Sequence, residues 1–113
     1  MNVHQFVDEL LQELATVDRF AQIAVQTEGP TVRANAYLSG RIDSFLRIYF
    51  NEVTGTIAFA LIEQRQRIWG IDCDNRRGWH KHPVQDPTQH VKIDPMSIRE
   101  IIGELQVILV QRS

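Results

Sequence analysis

The chain is expected to fold as a single α+β domain over residues 1–113, with an antiparallel sheet of about four to five strands flanked by an N-terminal and a C-terminal amphipathic helix. Three observations predict this. Apolar residues recur at three- and four-residue spacing at both ends of the chain. They alternate with a period of two through the middle. A length of 113 residues suffices to bury one core but leaves no room for a separate cofactor domain.

At the N-terminal end, Val3, Phe6, Val7, Leu10, Leu14 and Val17 mark one face of a helix expected from Val3 to about Phe20, with Asp8, Glu9, Gln12 and Glu13 opposite. Ala21 to Gln26 fits either a last helical turn or a first short strand, and Glu28-Gly29-Pro30 breaks the chain. Val32, Ala34, Ala36 and Leu38 alternate with Arg33, Asn35 and Tyr37, and Ser39-Gly40-Arg41 turns the chain. A meander follows. Leu46, Ile48 and Phe50 point inward, Thr54-Gly55 signals a hairpin, and Ile57, Phe59 and Leu61 share a face. Glu63 to Gln66 makes the next turn, and Arg67 to Asp72 forms a strand. Pro83, Pro87 and Pro95 make residues 83–95 a loop without regular structure. The last helix is announced by Asp94-Pro95 and by Ser97 three residues before Glu100, a capping-box spacing, and carries Ile98, Ile101, Ile102, Leu105, Ile108 and Leu109 as its apolar stripe.

Hydrophobic residues make up 43%, the composition of a globular chain. No apolar run approaches the roughly 20 residues of a membrane span. Asp8 and Glu9 near the N-terminus do not suit a signal peptide, so a soluble cytoplasmic protein is expected. The one cysteine, Cys73, excludes an internal disulfide framework and a multi-cysteine zinc site; between Asp72 and Asp74, it is also a poor nucleophile. The formal charge is −2 but unevenly spread. Residues 1–30 carry five acids against one arginine, whereas residues 64–92 carry six Lys and Arg against three Asp. A local basic patch on a mildly acidic chain suits a confined anion site better than a broad DNA-binding face.

The chemistry is concentrated between Ile71 and Pro83 and at His90, where three of the four histidines lie with Asp72, Asp74, Arg76, Arg77 and Trp79. If this segment is extended, His80 and His82 project from one face and Lys81 from the other. Three uses compete. Metal-independent RNA cleavage needs a base, an acid and a fixed cation: His80, His82 and His90 supply the first two, Arg76 or Arg77 the third, with Asp74 in support. Trp79 is then a surface for base stacking and Lys81 a further substrate contact, although tryptophan more often covers a core edge. A metal module would draw on His80, His82 and His90 with Asp72 or Asp74, and no such ligand set or cofactor is assigned from the spacing. In the third case the histidines are structural, and the protein is a non-enzymatic homodimer.

The order of elements, and above all Asp74-Asn75 through His80-x-His82-Pro83 with His90, resembles the TumE-like family of small bacterial toxin components over about residues 31–110. The chain differs in placing Arg76-Arg77-Gly78-Trp79 before the histidines and in carrying His90 alone where the family has a later His-x-His. The resemblance implies a toxin acting on RNA or translation through the His/Arg/Asp segment, with a cognate antitoxin covering it.

Overall fold

The computed structural model describes residues 1–112. Asn2 opens the first helix, α1 (Val3–Leu14). Its side chain accepts the Gln5 N–H at 2.8 Å, while the Gln5 side-chain oxygen accepts the Asn2 N–H at 2.9 Å. The helix stops at Leu14 rather than near Phe20, because the chain from Phe20 finds its backbone partners in a sheet. There β1 (Phe20–Glu28) pairs antiparallel with β2 (Thr31–Leu38), from Glu28 opposite Thr31 to Phe20 opposite Leu38.

The sheet continues with β3 (Ser44–Asn51), β4 (Thr56–Glu63), β5 (Gln66–Asp74), β6 (Gly78–His82) and β7 (Val91–Lys92), each antiparallel to the strand before it. Among the described residues the sheet therefore has seven strands, not four or five. The additional strands are those with weak apolar alternation. β1 and β7 are edges, and β6 is a run of polar and aromatic residues whose pairing with β5 supplies the backbone bonds. β7 lies inside the 83–95 segment expected to be irregular. The β4–β5 connection is a two-residue hairpin with both Gln64 and Arg65 at positive φ, 51° and 66°.

Both helices cover one face of the sheet. Phe6, Leu10 and Leu14 of α1 and the stripe of α2 (Ile98–Gln111) close over Val32, Ala34, Ala36, Leu46, Ile48, Phe59, Leu61, Trp69 and Ile71. Phe6 stacks on Phe50 with ring centroids 4.4 Å apart. Ser97 caps α2: it accepts the Glu100 N–H at 3.1 Å while Glu100 accepts the Ser97 N–H at 2.9 Å, so Asp94-Pro95 lies upstream of the helix instead of capping it. The Ser97 N–H, and after it the Ser97 side chain, hold the Glu100 carboxyl below the usual range. Ser97→Ala should cost about 1 kcal/mol, measurable by urea denaturation.

The opposite face of the sheet is not covered by helix. The register aligns Arg33 with Tyr49, Tyr37 with Phe45, Arg47 with Ala60, Ala60 with Gly70, Gly70 with His82, and Asp72 with His80. Arginines and aromatics thus occupy one side of this face and histidines the other, across a floor of Ala58, Ala60 and Gly70.

Candidate metal centre

Period-two geometry decides which side chains of β5 and β6 meet. Trp69 and Ile71 point into the core, so Gly70 and Asp72 point to the open face, and their partners His82 and His80 do the same. The Asp72 Oδ2 lies 3.4 Å from His80 Nε2 and 3.2 Å from His82 Nε2. The segment after β6 curls back and brings His90 against both, with ring centroids 5.4 Å from His80 and 4.6 Å from His82. One nitrogen from each of the three rings lies within 4.8 Å of the other two.

The other ring nitrogens are already committed. His80 Nδ1 is 3.1 Å from the Gly78 carbonyl oxygen, and His82 Nδ1 is 3.0 Å from that of Pro87. A carbonyl only accepts, so both Nδ1 atoms carry the hydrogen, and in the neutral rings each Nε2 presents a lone pair. Those lone pairs face a carboxylate oxygen, and both rings are buried, at 4% and 1% exposure. Lone pair against carboxylate is repulsive, and two imidazoliums sharing one carboxylate in a buried place carry a large desolvation cost. A proton on one Nε2 would pair that ring with Asp72, whereas a cation held by the three nitrogens with Asp72 beside it would satisfy all of these groups at once. Carbonyl-anchored imidazoles are also how proteins orient metal-binding histidines.

His90 is exposed as a residue, but its ring is crowded by the cluster. Loss of hydration, followed by the charges of Arg77, His82, His80 and Arg67, pushes it below its ordinary value of 6.5, favouring the neutral form that can ligate. Arg67 stands over the same face, with Nη1 3.9 Å from Asp72 Oδ2. Gly70 makes this approach feasible, because a Cβ there would sit 3.1 Å from the Phe59 carbonyl oxygen, 3.3 Å from Arg67 Cδ and 3.6 Å from His82 Cδ2. Gly70→Ala should therefore press on the Phe59 backbone and displace Arg67, at a cost of about 1–3 kcal/mol measurable by calorimetry of folding, while His82, at ordinary contact distance, stays in place.

Of the sequence-predicted residues, the structure gathers His80, His82 and His90. Arg77 lies close enough to act electrostatically on His90. Asp74 serves the β5–β6 turn: its Oδ1 accepts the N–H groups of Arg77 at 2.7 Å and Arg76 at 2.9 Å. Those bonds, the Arg77 one foremost, hold its carboxyl low. Arg76 is exposed in that turn. Trp79 and Lys81 are on the helix side of the sheet, away from the histidines, where Trp79 packs on the core and Lys81 Nζ meets Glu104 Oε1 at 2.8 Å. Alternation along β6 requires this, since the neighbours of His80 and His82 must face the other way. Burial and then Asp74 raise the Cys73 thiol, which fits a structural cysteine. His4 pairs with Asp8 at the exposed face of α1. Sequence spacing did not single out Arg67 or Gly70, and it favoured Asp74 over Asp72 for the catalytic set; the pairing of Asp72 with His80 reverses that choice.

The chain matches no protein-family model, no curated protein and no solved structure.

Proposed function

We propose that His80, His82 and His90, with Asp72, hold one divalent transition metal, and that the protein uses it to attack phosphodiesters of RNA. The observation that supports this most directly is the anchoring of both buried Nδ1 atoms on backbone carbonyls, which turns two Nε2 lone pairs onto a single carboxylate oxygen. Three imidazoles and a carboxylate suit zinc and its first-row neighbours.

The clustering argues against the metal-independent alternative. In-line displacement at phosphorus puts the attacking and leaving oxygens on opposite sides, so an acid and a base must flank the phosphate. Here the nitrogens converge on one small volume instead. A metal at that place would supply Lewis acidity toward a phosphoryl oxygen. The chain's own contributions are distinct from it. Gly78 and Pro87 fix the tautomers of His80 and His82 through their carbonyls, and Arg67 and Arg77 add positive charge that favours an anionic substrate.

In a TumE-like setting this centre would be the toxic element, and a cognate antitoxin would cover the open face. The test is cleavage of a single-stranded RNA by untagged protein before and after chelation, with zinc or manganese restored. We expect activity lost on chelation, recovered with metal, and absent in His82→Ala. Cleavage that persists in a chelator would refute the metal role; metal-loaded protein that leaves RNA and simple phosphodiesters intact would refute the chemistry. Acidification should release the metal, because a proton on Nε2 removes the ligand lone pair. With His90 already biased to its neutral form, loss should set in below its ordinary value of 6.5. A zinc-binding titration against pH checks this.

A further inference from the structure

Next to the candidate metal centre on the open face is a cavity of about 400 Å³, lined by Tyr37, Phe45, Ile62, Arg47, Arg65 and Arg67 together with Ile42 and Asp43. Its position follows from register: Tyr37 faces Phe45 across β2 and β3, Phe45 faces Ile62 across β3 and β4, and Ile62 faces Arg67 across β4 and β5. The Tyr37 and Phe45 rings are 5.6 Å apart and tilted at 40°. The guanidiniums of Arg47 and Arg65 have neither a hydrogen-bond nor an ion-pair partner among the described residues, and that of Arg67 pairs with Asp72, at 3.9 Å.

Three guanidiniums line one concavity against two carboxylates, Asp43 in its lining and Asp72 beside Arg67, so positive charge is in excess there and a bound anion offsets it. The aromatic and aliphatic wall adds what a phosphate alone would not need, a surface for a planar apolar group. Stacking on aromatic rings together with guanidinium contacts to phosphate is how single-stranded nucleic acid is held without reading its sequence. We propose that this cavity binds one nucleotide unit of a single-stranded nucleic acid, with its base on Tyr37 and Phe45 and its phosphate on Arg47, Arg65 and Arg67. Arg67 belongs to both the cavity and the centre, so a strand lying across β3, β4 and β5 passes from one to the other. β3 and β6 are three strand spacings apart, roughly 14 Å at about 4.8 Å each, so a polymer and not a free mononucleotide engages both.

The inference names the substrate unit of the proposed phosphodiester activity and rests on that reading, but binding can be measured without catalysis. The experiment is fluorescence anisotropy with a labelled single-stranded hexaribonucleotide, in chelator, on wild-type protein and on the Arg47→Gln, Arg65→Asn double variant. Asn suits the positive φ of residue 65, and unchanged melting temperature confirms the fold. Competition uses unlabelled adenosine, 5′-AMP and a tyrosine-phosphorylated peptide.

We expect at least a tenfold loss of affinity in the double variant and a salt slope smaller by about 1–2, since two phosphate-directed cations are gone. The hexamer should outcompete 5′-AMP, and 5′-AMP should outcompete adenosine. Equal binding by the double variant, equal competition by adenosine, or stronger competition by the phosphopeptide would each overturn the assignment. A strand that binds at the arginines while the histidines hold no metal would leave the cavity standing and remove the centre; a metal-loaded protein without arginine-dependent binding would do the reverse.

Discussion

Protein expressed without a histidine tag will carry about one equivalent of zinc or another first-row divalent metal, and the His80→Ala, His82→Ala double variant will carry none. Stability should follow occupancy. A ligand that binds only the native state at about 100 times its dissociation constant adds about 2.7 kcal/mol. For a chain of this size that raises the melting temperature by roughly 10 °C. Chelation should reverse the gain in the wild type and change nothing in the double variant. The test is informative in both directions because His80 and His82 are buried and face Asp72. The double variant also loses two buried rings and the donors to the Gly78 and Pro87 carbonyls, so its own stability should fall below that of apo wild type, and only the absence of a metal-dependent gain reports on the site. Elemental analysis giving less than a tenth of an equivalent after incubation with stoichiometric zinc and manganese would remove the metal from the account. Asp72→Asn, which keeps the shape and removes the charge, should weaken binding about 10–100-fold, the range for partners that orient or neutralise a metal site.

Trp69→Ala should be the most destabilising single change outside the site, costing about 3–5 kcal/mol by the loss of a buried aromatic and the cavity left behind. Trp69 is 1% exposed, and its Nε1 donates to Glu104 Oε2 at 2.9 Å, while Lys81 Nζ donates to the other oxygen of the same carboxylate. This contact joins β5, β6 and α2. Trp69→Phe separates the two contributions: it retains most of the apolar volume and removes only the N–H, for an expected cost of about 1–2 kcal/mol. Guanidinium denaturation of the three proteins measures both. Similar costs for Phe and Ala would mean that the hydrogen bond, not the packing, holds α2 here. Because β5 also carries Gly70 and Asp72 on its other face, Trp69→Ala should loosen metal binding as well as lower stability.

The elements legible along the chain were those whose local chemistry and tertiary role agree. Ser97 and Glu100 cap α2 as their spacing predicts, and Val32, Ala34, Ala36, Leu46, Ile48 and Phe59 are buried as their alternation predicts. The misplaced boundaries lie where the two disagree. Val17 and Phe20 continue the helical spacing of α1, but the backbone beyond Phe20 is satisfied by β2, and an edge strand with only Phe20, Ile23 and Val25 half-buried against the core shows little alternation to announce it. β6 was concealed by its composition, because one face carries histidines and the other Trp79 and Lys81, so neither period nor hydropathy marks a strand.

What the residues alone determined is an α+β domain with an amphipathic helix at each end, and a short stretch holding nearly all its imidazoles; both follow from properties carried within a few residues, namely periodicity, capping and composition. Which of those side chains meet was decided by tertiary structure. Pairing of β5 with β6 chose Asp72 over Asp74, sent Trp79 and Lys81 to the helix side, and placed Arg67 beside the histidines, while the return of the chain after Pro87 delivered His90. Register is set by backbone bonds summed over a whole strand, and a shift of one residue would turn every side chain to the other face, so no short window of sequence contains it.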